Sequence, residues 1–154
     1  MQTFLWRGAA LLWAAKIFWL STESFAGTAT RPLLAKLLAS LHVTLSADAF
    51  WVLHLVCRKL AHVAEYGILS FLIYRSLDGN EEEGWRPHIA IWSVLVASAY
   101  SLTDEFHQSF VRGRGASLLD CSLDVLGAIL PMLLIYAHSR LANIPAGRIL
   151  RPGA

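Results

Sequence analysis

The sequence predicts an all-α fold, an integral membrane bundle of four transmembrane helices with an interfacial helix between the first and the second. Composition is the first reason: 56% of the 154 residues are hydrophobic and only 16% are charged, whereas soluble domains carry about 25% charged residues. The second reason is that four stretches approach the roughly 20 apolar residues that a helix needs to cross a bilayer. They lie at about residues 4–21, 53–75, 88–106 and 117–138.

The first stretch has an alternative interpretation as a signal peptide. Arg7 would form its basic start, and residues 24–26 resemble a cleavage site between small residues. Lys16 lies in the apolar centre of the stretch, which is unfavourable for a signal peptide. We therefore expect a helix that the mature protein retains.

The segment before the second stretch predicts the interfacial helix. Its middle, "RPLLAKLLASLHVTL", has a helical apolar rhythm that polar residues interrupt. Pro32 is well placed near a helix start. Such a helix suits the membrane surface, and Phe50 and Trp51 would anchor the chain near the lipid headgroups.

Basic residues indicate the orientation, because cytoplasmic loops of membrane proteins are enriched in lysine and arginine. With four crossings, both termini share a side with the loop at residues 75–87. The two sides carry similar numbers of basic residues, but Arg140, Arg148 and Arg151 cluster after the last helix. We therefore expect a membrane domain at residues 1–138, a loosely ordered basic cytoplasmic tail at residues 139–154, and both termini in the cytoplasm.

Several kinds of partner and cofactor are not indicated. The net charge of +2 is too small to suggest a nucleic-acid partner. The chain has no Walker loop, no dinucleotide-binding motif and no CxxC pair, so we expect no cofactor. Cys57 and Cys121 lie in apolar surroundings near the outer ends of their helices. They are interpreted either as two buried thiols or as a disulfide.

The polar residues of the second helix fall on one face. With about 100° of rotation per residue, one arc holds Arg58, Lys59, His62, Glu65 and Tyr66. The opposite face is apolar. The helix therefore carries a polar stripe about two turns long, which starts at its outer end.

The third and fourth helices carry matching stripes. Asp104 and Gln108 align on the third helix, His107 borders them, and Glu105 points about 100° away and needs a second contact direction. Asp120 and Asp124 align on the fourth helix with Gly127, which permits close packing. The expected topology brings all three stripes to the same outer face, where they would form the walls of one polar cavity.

Charged groups inside a bilayer are costly, so they pair or face water. Such a network could merely lock the helices together, but two histidines among several carboxylates favour a functional site. The candidate acid–base residues are Glu65, Glu105, His107 and His62. The candidate ligand-binding residues are Lys59, Tyr66, Asp104, Gln108, Arg112, Arg114, Asp120 and Asp124.

Two other chemistries are less well indicated. A metal ion could take His62, Glu65 and His107 as ligands, but the chain has no HExxH motif. We therefore expect no required metal. A serine nucleophile would need a nucleophile elbow, which the sequence lacks.

Two long segments resemble the bacterial VanZ-like family. They are "RKLAHVAEYGILSFLIYRSL" and "SLTDEFHQSFVRGRGASLLDCSLDVLGAIL". They carry the family's Lys/His/Glu-Tyr segment, its Asp-Glu-x-His-Gln segment, its Gly-Arg turn and its Asp-x-x-Gly-Ala helix, and Ser21 matches a serine frequent in the family. Arg112 stands where a proline often precedes the Gly-Arg turn, and Val63 stands where an aromatic residue is common. The resemblance covers about residues 1–138.

The resemblance implies a bacterial inner-membrane location and a site, but no reaction. The family's namesake confers low-level resistance to the lipoglycopeptide teicoplanin. We therefore expect an outward-facing cavity that recognises an anionic amphiphilic component of the cell envelope, such as a membrane lipid, a lipid-linked component or a lipoglycopeptide antibiotic. An enzyme that modifies an envelope lipid by acid–base chemistry is the alternative. A proton-coupled carrier is less favoured because the polar stripe ends near Tyr66. Oligomeric state stays open.

Overall fold

The computed structural model of the protein describes residues 2–25, 27–77, 84–112 and 117–142. The regular structure in these ranges is entirely helical, which confirms the all-α prediction. The elements are α1 (Gln2–Leu20), a 3-10 turn (Glu23–Phe25), α2 (Gly27–Ser40), α3 (Ala47–Leu77), α4 (Pro87–Gln108) and α5 (Leu118–Ala142). Most of the predicted tail lies outside the described residues.

Helix α3 is longer than the sequence predicts. It begins at Ala47 rather than near residue 53, because Ser46 accepts a hydrogen bond from the backbone N–H of Ala49 at 3.3 Å and so caps the first turn. Phe50 and Trp51 are therefore part of the helix rather than of a surface segment before it.

Helix α2 corresponds to the predicted interfacial helix. It ends at Ser40, just before His42 adopts a left-handed backbone conformation with φ of 55°. Thr30 on α2 hydrogen-bonds His54 on α3 at 2.9 Å, and the Arg31 guanidinium lies 4.4 Å from the Trp51 ring centre. Helix α2 is thus attached to the first turns of α3. Its position on a membrane surface stays a prediction.

One helix in the described part of the chain, α5, is long and apolar enough to cross a membrane. The four-helix transmembrane bundle is therefore not confirmed, although four long helices are present at about the predicted positions.

Helix α3 is the centre of the bundle, and it packs against α1, α4 and α5. The indole N–H of Trp13 on α1 donates to the Glu65 carbonyl at 2.9 Å, and the Tyr100 hydroxyl on α4 donates to the Ala14 carbonyl at 2.7 Å. These two bonds fix the register of α1, so that Ser21 at its end reaches the polar end of the bundle.

Helices α3 and α5 approach most closely at Gly127, as the sequence predicts. A Cβ atom at Gly127 would lie 2.4 Å from the Val63 carbonyl oxygen, and one at Gly67 would lie 3.1 Å from the Gly127 carbonyl oxygen. Only glycine allows two backbones to come this close. This contact separates a polar end of the bundle from an apolar end.

The cysteines match neither interpretation fully. Both are free thiols in the structure, so the disulfide interpretation is wrong. Cys121 is buried, but Cys57 is exposed, because it lies on the side of α3 that faces away from the other helices. The expectation of two buried thiols therefore holds for Cys121 alone.

Candidate functional site

Three helices bring their polar side chains together at one end of the bundle. His62 on α3 lies with its Nδ1 atom 3.1 Å from a carboxylate oxygen of Asp124 on α5. The other Asp124 oxygen accepts a hydrogen bond of 2.6 Å from Ser101 on α4. Asp124 is 1% exposed. A single buried carboxylate thus joins all three helices, as the aligned stripes predict.

One turn further out, Lys59 on α3 forms an ion pair with Asp120 on α5. These residues precede His62 and Asp124 on the same helical faces, so the two contacts form successive rungs between α3 and α5. The lysine was predicted to bind an anionic ligand. Its partner in the structure is instead the Asp120 carboxylate.

Helix α4 adds two more buried carboxylates. One Asp104 oxygen accepts a hydrogen bond of 2.8 Å from the Gln108 amide, which also lies 3.3 Å from the Ser21 hydroxyl of the α1 end. One Glu105 oxygen accepts the backbone N–H of Ser117 at 2.7 Å. Glu105 therefore finds its second contact direction at the start of α5.

Several polar atoms of this cluster are buried without a hydrogen-bond partner in the described part of the chain. They are the second carboxylate oxygens of Asp104 and Glu105, the Tyr66 hydroxyl and the Nδ1 atom of His107. The Tyr66 hydroxyl lies near Asp104 but makes no hydrogen bond of good geometry with it. Such groups are rare in folded proteins and often mark sites for a ligand or an ion.

A cavity of about 190 Å³ opens beside the cluster, between the α1 end, α2 and α3. Five polar and three apolar side chains line it. The polar residues are Ser21, Thr30, Arg58, His62 and Glu65, and the apolar residues are Leu20, Phe25 and Ala61. His62 therefore belongs both to the cavity wall and to the buried cluster.

The cavity wall includes two residues, Ser21 and Arg58, for which the sequence predicts no binding or catalytic role. The helical periodicity places Arg58 in the polar stripe of α3, and Ser21 matches a serine that is frequent in the family. Their common position beside His62 depends on how α1 and α2 pack against α3, which a pattern within one helix does not reveal.

Other predicted residues do not line the cavity. Arg112 is exposed in the turn after α4, and Arg114 lies outside the described residues. His107 packs its ring against Phe18 of α1 at a centroid distance of 4.5 Å. Tyr66 is fully buried in the helix core. Glu65 is the only predicted acid–base residue besides His62 that the structure brings to this cavity wall, within the part of the chain described.

The structure also gathers a group that could hold a metal ion. His62, Glu105 and Asp124 each offer one ligand atom, and these atoms lie within 4.8 Å of one another. The sequence suggests a different set of possible metal ligands, namely His62, Glu65 and His107. Glu105 replaces Glu65 because it reaches the interface of α3 and α5 from the neighbouring helix.

Comparison with known proteins gives one match. A family model described as VanZ/LLP1 matches residues 8–141, which includes every described residue of the polar cluster and the cavity. No curated protein and no solved structure matches the chain.

Proposed function

The chain belongs to the VanZ/LLP1 family, and from this premise we propose that its cavity binds the anionic head group of an amphiphilic envelope component. In this proposal the protein is a multi-pass protein of the bacterial cytoplasmic membrane, and the cavity opens outward. Low-level protection against teicoplanin would follow from binding of the anionic group of an envelope lipid or of a lipid-linked component.

The surface of the bundle supports a multi-pass location. Large apolar side chains are more than half exposed on several helices, for example Leu11 on α1, Leu60 on α3, Trp92 on α4 and Leu134 on α5. Contiguous apolar surface is unusual for soluble proteins and typical of contact with lipid or with another protein. Only 28% of the most apolar window of α5 is buried, which is unlike the central helix of a soluble core.

The position of Arg58 is the main support for the proposal. It is half-buried in the cavity wall, and it makes no ion pair among the described residues. A half-buried guanidinium without a carboxylate partner suits an anionic ligand, because its planar donors match phosphate and carboxylate oxygens in a bidentate way. Arg58 therefore replaces Lys59 as the proposed anion-binding residue of α3, since Lys59 is neutralised by Asp120.

The size of the cavity limits the ligand. Pockets for drug-sized molecules occupy about 300–1,000 Å³, so a cavity of about 190 Å³ suits one head group and excludes an intact glycopeptide. Leu20, Phe25 and Ala61 form the apolar part of the wall. They would guide an acyl chain outward onto the apolar surface of the bundle.

A second candidate function is acid–base catalysis on the same head group. The favouring observation is the His62–Asp124 contact of 3.1 Å at the cavity wall. A carboxylate on one ring nitrogen orients a histidine so that the other nitrogen can exchange a proton with a substrate. Glu65, on the same wall, is the second candidate acid–base group.

The experiment compares Arg58→Gln with Arg31→Gln at matched expression. Arg31 is a suitable control because it is an exposed arginine at the same end of the bundle and does not line the cavity. Lipids that co-purify with each protein are identified by mass spectrometry, and teicoplanin and vancomycin susceptibility is measured in a sensitive bacterium. We expect Arg58→Gln to lose the bound anionic lipid and any selective teicoplanin protection, and Arg31→Gln to retain both.

Retention of the same lipid and the same protection by a well-expressed Arg58→Gln protein would contradict the binding proposal. The catalytic candidate is distinguished by His62→Gln, which would keep the bound lipid but abolish a modified lipid species that the wild type produces. An envelope lipid profile that does not change when the protein is deleted would exclude catalysis.

A further inference from the structure

We propose that His62, Glu105 and Asp124 form a binding site for one divalent transition-metal ion of the zinc type. The site lies at the interface of α3, α4 and α5, behind the cavity wall. The metal site does not depend on the proposed head-group binding, because its three ligands belong to the buried cluster and do not include Arg58.

The distances among the three ligand atoms are compatible with binding of one metal ion. One ligand atom of each lies within 4.8 Å of the other two, and zinc–ligand bonds of about 2.0–2.2 Å bring donors on one ion to within about 4.4 Å of each other. Small side-chain rotations are enough to close this difference. The 3.1 Å separation of His62 Nδ1 and the Asp124 oxygen is already close to that of neighbouring donors on a tetrahedral ion, about 3.3 Å.

The buried cluster has more negative than positive charge, which favours binding of a cation. Asp104, Glu105 and Asp124 are 4%, 5% and 1% exposed, and desolvated carboxylates are unfavourable unless a cation or hydrogen bonds compensate them. Lys59 is already neutralised by Asp120. His62 contacts Asp124 directly, whereas Arg58 acts on Glu105 only through a longer-range attraction. A divalent ion would supply the missing positive charge.

Glu105 supplies an independent indication of a ligand. One of its oxygens accepts the Ser117 N–H at 2.7 Å, which fixes the carboxylate. The other oxygen is buried and has no hydrogen-bond partner among the described residues. A fixed, buried carboxylate oxygen with a free lone pair is the arrangement that a metal ligand requires, and Ser101 holds the Asp124 carboxylate in a similar way.

The ligand types indicate which ions suit the site. One imidazole and two carboxylates favour Zn²⁺ or a similar first-row ion over Mg²⁺ or Ca²⁺, which prefer oxygen ligands only. Three protein ligands leave a coordination position open, as in catalytic rather than structural zinc sites. Since His62 also lines the cavity, this open position would lie near a bound head group.

The test uses the full chain, purified in detergent with a tag that contains no histidines and stripped of metal with a chelator. Co²⁺, which gives visible absorption bands in a protein site, is titrated into the protein and then displaced with Zn²⁺. The variant is Glu105→Gln, which keeps the size of the side chain and an oxygen for the Ser117 N–H. The matched control is Asp104→Asn, which removes the neighbouring buried carboxylate outside the proposed ligand set.

We expect the wild type to bind one equivalent of Co²⁺, displaced by Zn²⁺, and to unfold at a higher temperature when metal is bound. Glu105→Gln should weaken Co²⁺ binding by at least about 100-fold, and Ser101→Ala, which removes only an outer support, by roughly 10-fold. Asp104→Asn removes a charge that the ion helps to compensate but no ligand atom, so it should weaken Co²⁺ binding far less than Glu105→Gln does.

Three results would overturn the proposal. The first is a folded wild type that binds no Co²⁺ or Zn²⁺, which would leave a proton on Glu105 as the group that neutralises the cluster. The second is equal weakening in Asp104→Asn and Glu105→Gln. The third is binding of Mg²⁺ in preference to Zn²⁺, which would exclude His62 as a ligand. If Glu105→Gln fails to fold, the wild-type stoichiometry and Ser101→Ala still decide the question.

Discussion

The same three helices, α3, α4 and α5, meet at both ends of the bundle but pack there in different ways. At one end they surround His62, Asp124, Glu105 and their polar partners. At the other end they surround an apolar cluster of Tyr74, Ile89, Ala90 and Met132, where the Tyr74 ring stacks on Trp85 at 6.1 Å. The apolar end shows that these helices pack without buried charge. The charges at the polar end are therefore better explained by a ligand or an ion than by helix association.

The contact between Gly127 and Val63 separates these two ends. Because the two backbones touch there, neither helix can shift along the other without losing the rungs of His62–Asp124 and Lys59–Asp120. This close contact is thus what aligns the polar site, although it contains no polar side chain of its own.

Gly127→Ala is expected to have the largest effect. The added Cβ would lie 2.4 Å from the Val63 carbonyl oxygen and 2.9 Å from its Cα, and both are backbone atoms that cannot rotate away. Overpacking typically costs about 1–3 kcal/mol, so we expect a loss at the top of this range or no folded protein. Thermal unfolding and size-exclusion chromatography in detergent measure it.

Gly8→Ala is the control for this change, since a Cβ at Gly8 would meet nothing within 4 Å. It should stabilise α1 slightly, because alanine is the better helix former. Equal stability of Gly127→Ala and the wild type would show that the two ends are not aligned by this contact.

Met132→Ala should have an intermediate effect that is confined to the apolar end. Met132 is 4% exposed, and truncation of a buried methionine leaves a cavity that costs about 2–5 kcal/mol. We expect a loss near the lower end of this range, about 2 kcal/mol, because the truncation leaves the backbone contacts between the helices intact. We expect a lower unfolding temperature with unchanged Co²⁺ affinity. Leu134→Ala on the same helix is the control, because its side chain is 63% exposed. A weakened Co²⁺ site in Met132→Ala would mean that the ends are coupled.

The smallest effect on stability is expected from two cysteine substitutions that test the orientation of the protein in the membrane. Arg112 follows α4 at the polar end and Arg140 lies near the end of α5, and both are exposed, so replacing either should change stability by less than about 0.5 kcal/mol. In a Cys57→Ser, Cys121→Ser background, a membrane-impermeant maleimide added to intact cells should label Arg112→Cys but not Arg140→Cys. Labelling of Arg140→Cys but not of Arg112→Cys would show that the cavity faces the cytoplasm.

The number and approximate positions of the long helices could be predicted because extended apolar runs are visible in the sequence. The start of α3 could not be, since the effect of Ser46 as a cap depends on the backbone around it. Gly127 predicts that α5 packs closely against a neighbouring helix. Its partner, Val63, could not be predicted, because a helical wheel gives no rotation of one helix relative to the next.

The site was predictable to the same extent. The periodicity of Lys59 and His62 and that of Asp120 and Asp124 predict two facing stripes, and the structure pairs them. The position of Arg112 directly after the motif predicts a ligand-binding role, but the helix ends at Gln108 and Arg112 is exposed in the turn that follows. The importance of Arg58 could not be predicted, because the sequence does not show that it lines a cavity or that it forms no ion pair among the described residues.

The length of α3 has a consequence for how a ligand would approach. Its 31 residues measure about 46 Å at 1.5 Å per residue, whereas the hydrocarbon thickness of a bilayer is about 30 Å. In a membrane, α3 would either tilt steeply or extend several turns beyond the acyl chains. If α3 extends, α2 would lie in the headgroup layer, because it is attached to those first turns. The cavity, which Thr30 of α2 helps to line, would then lie at the depth of the lipid head groups.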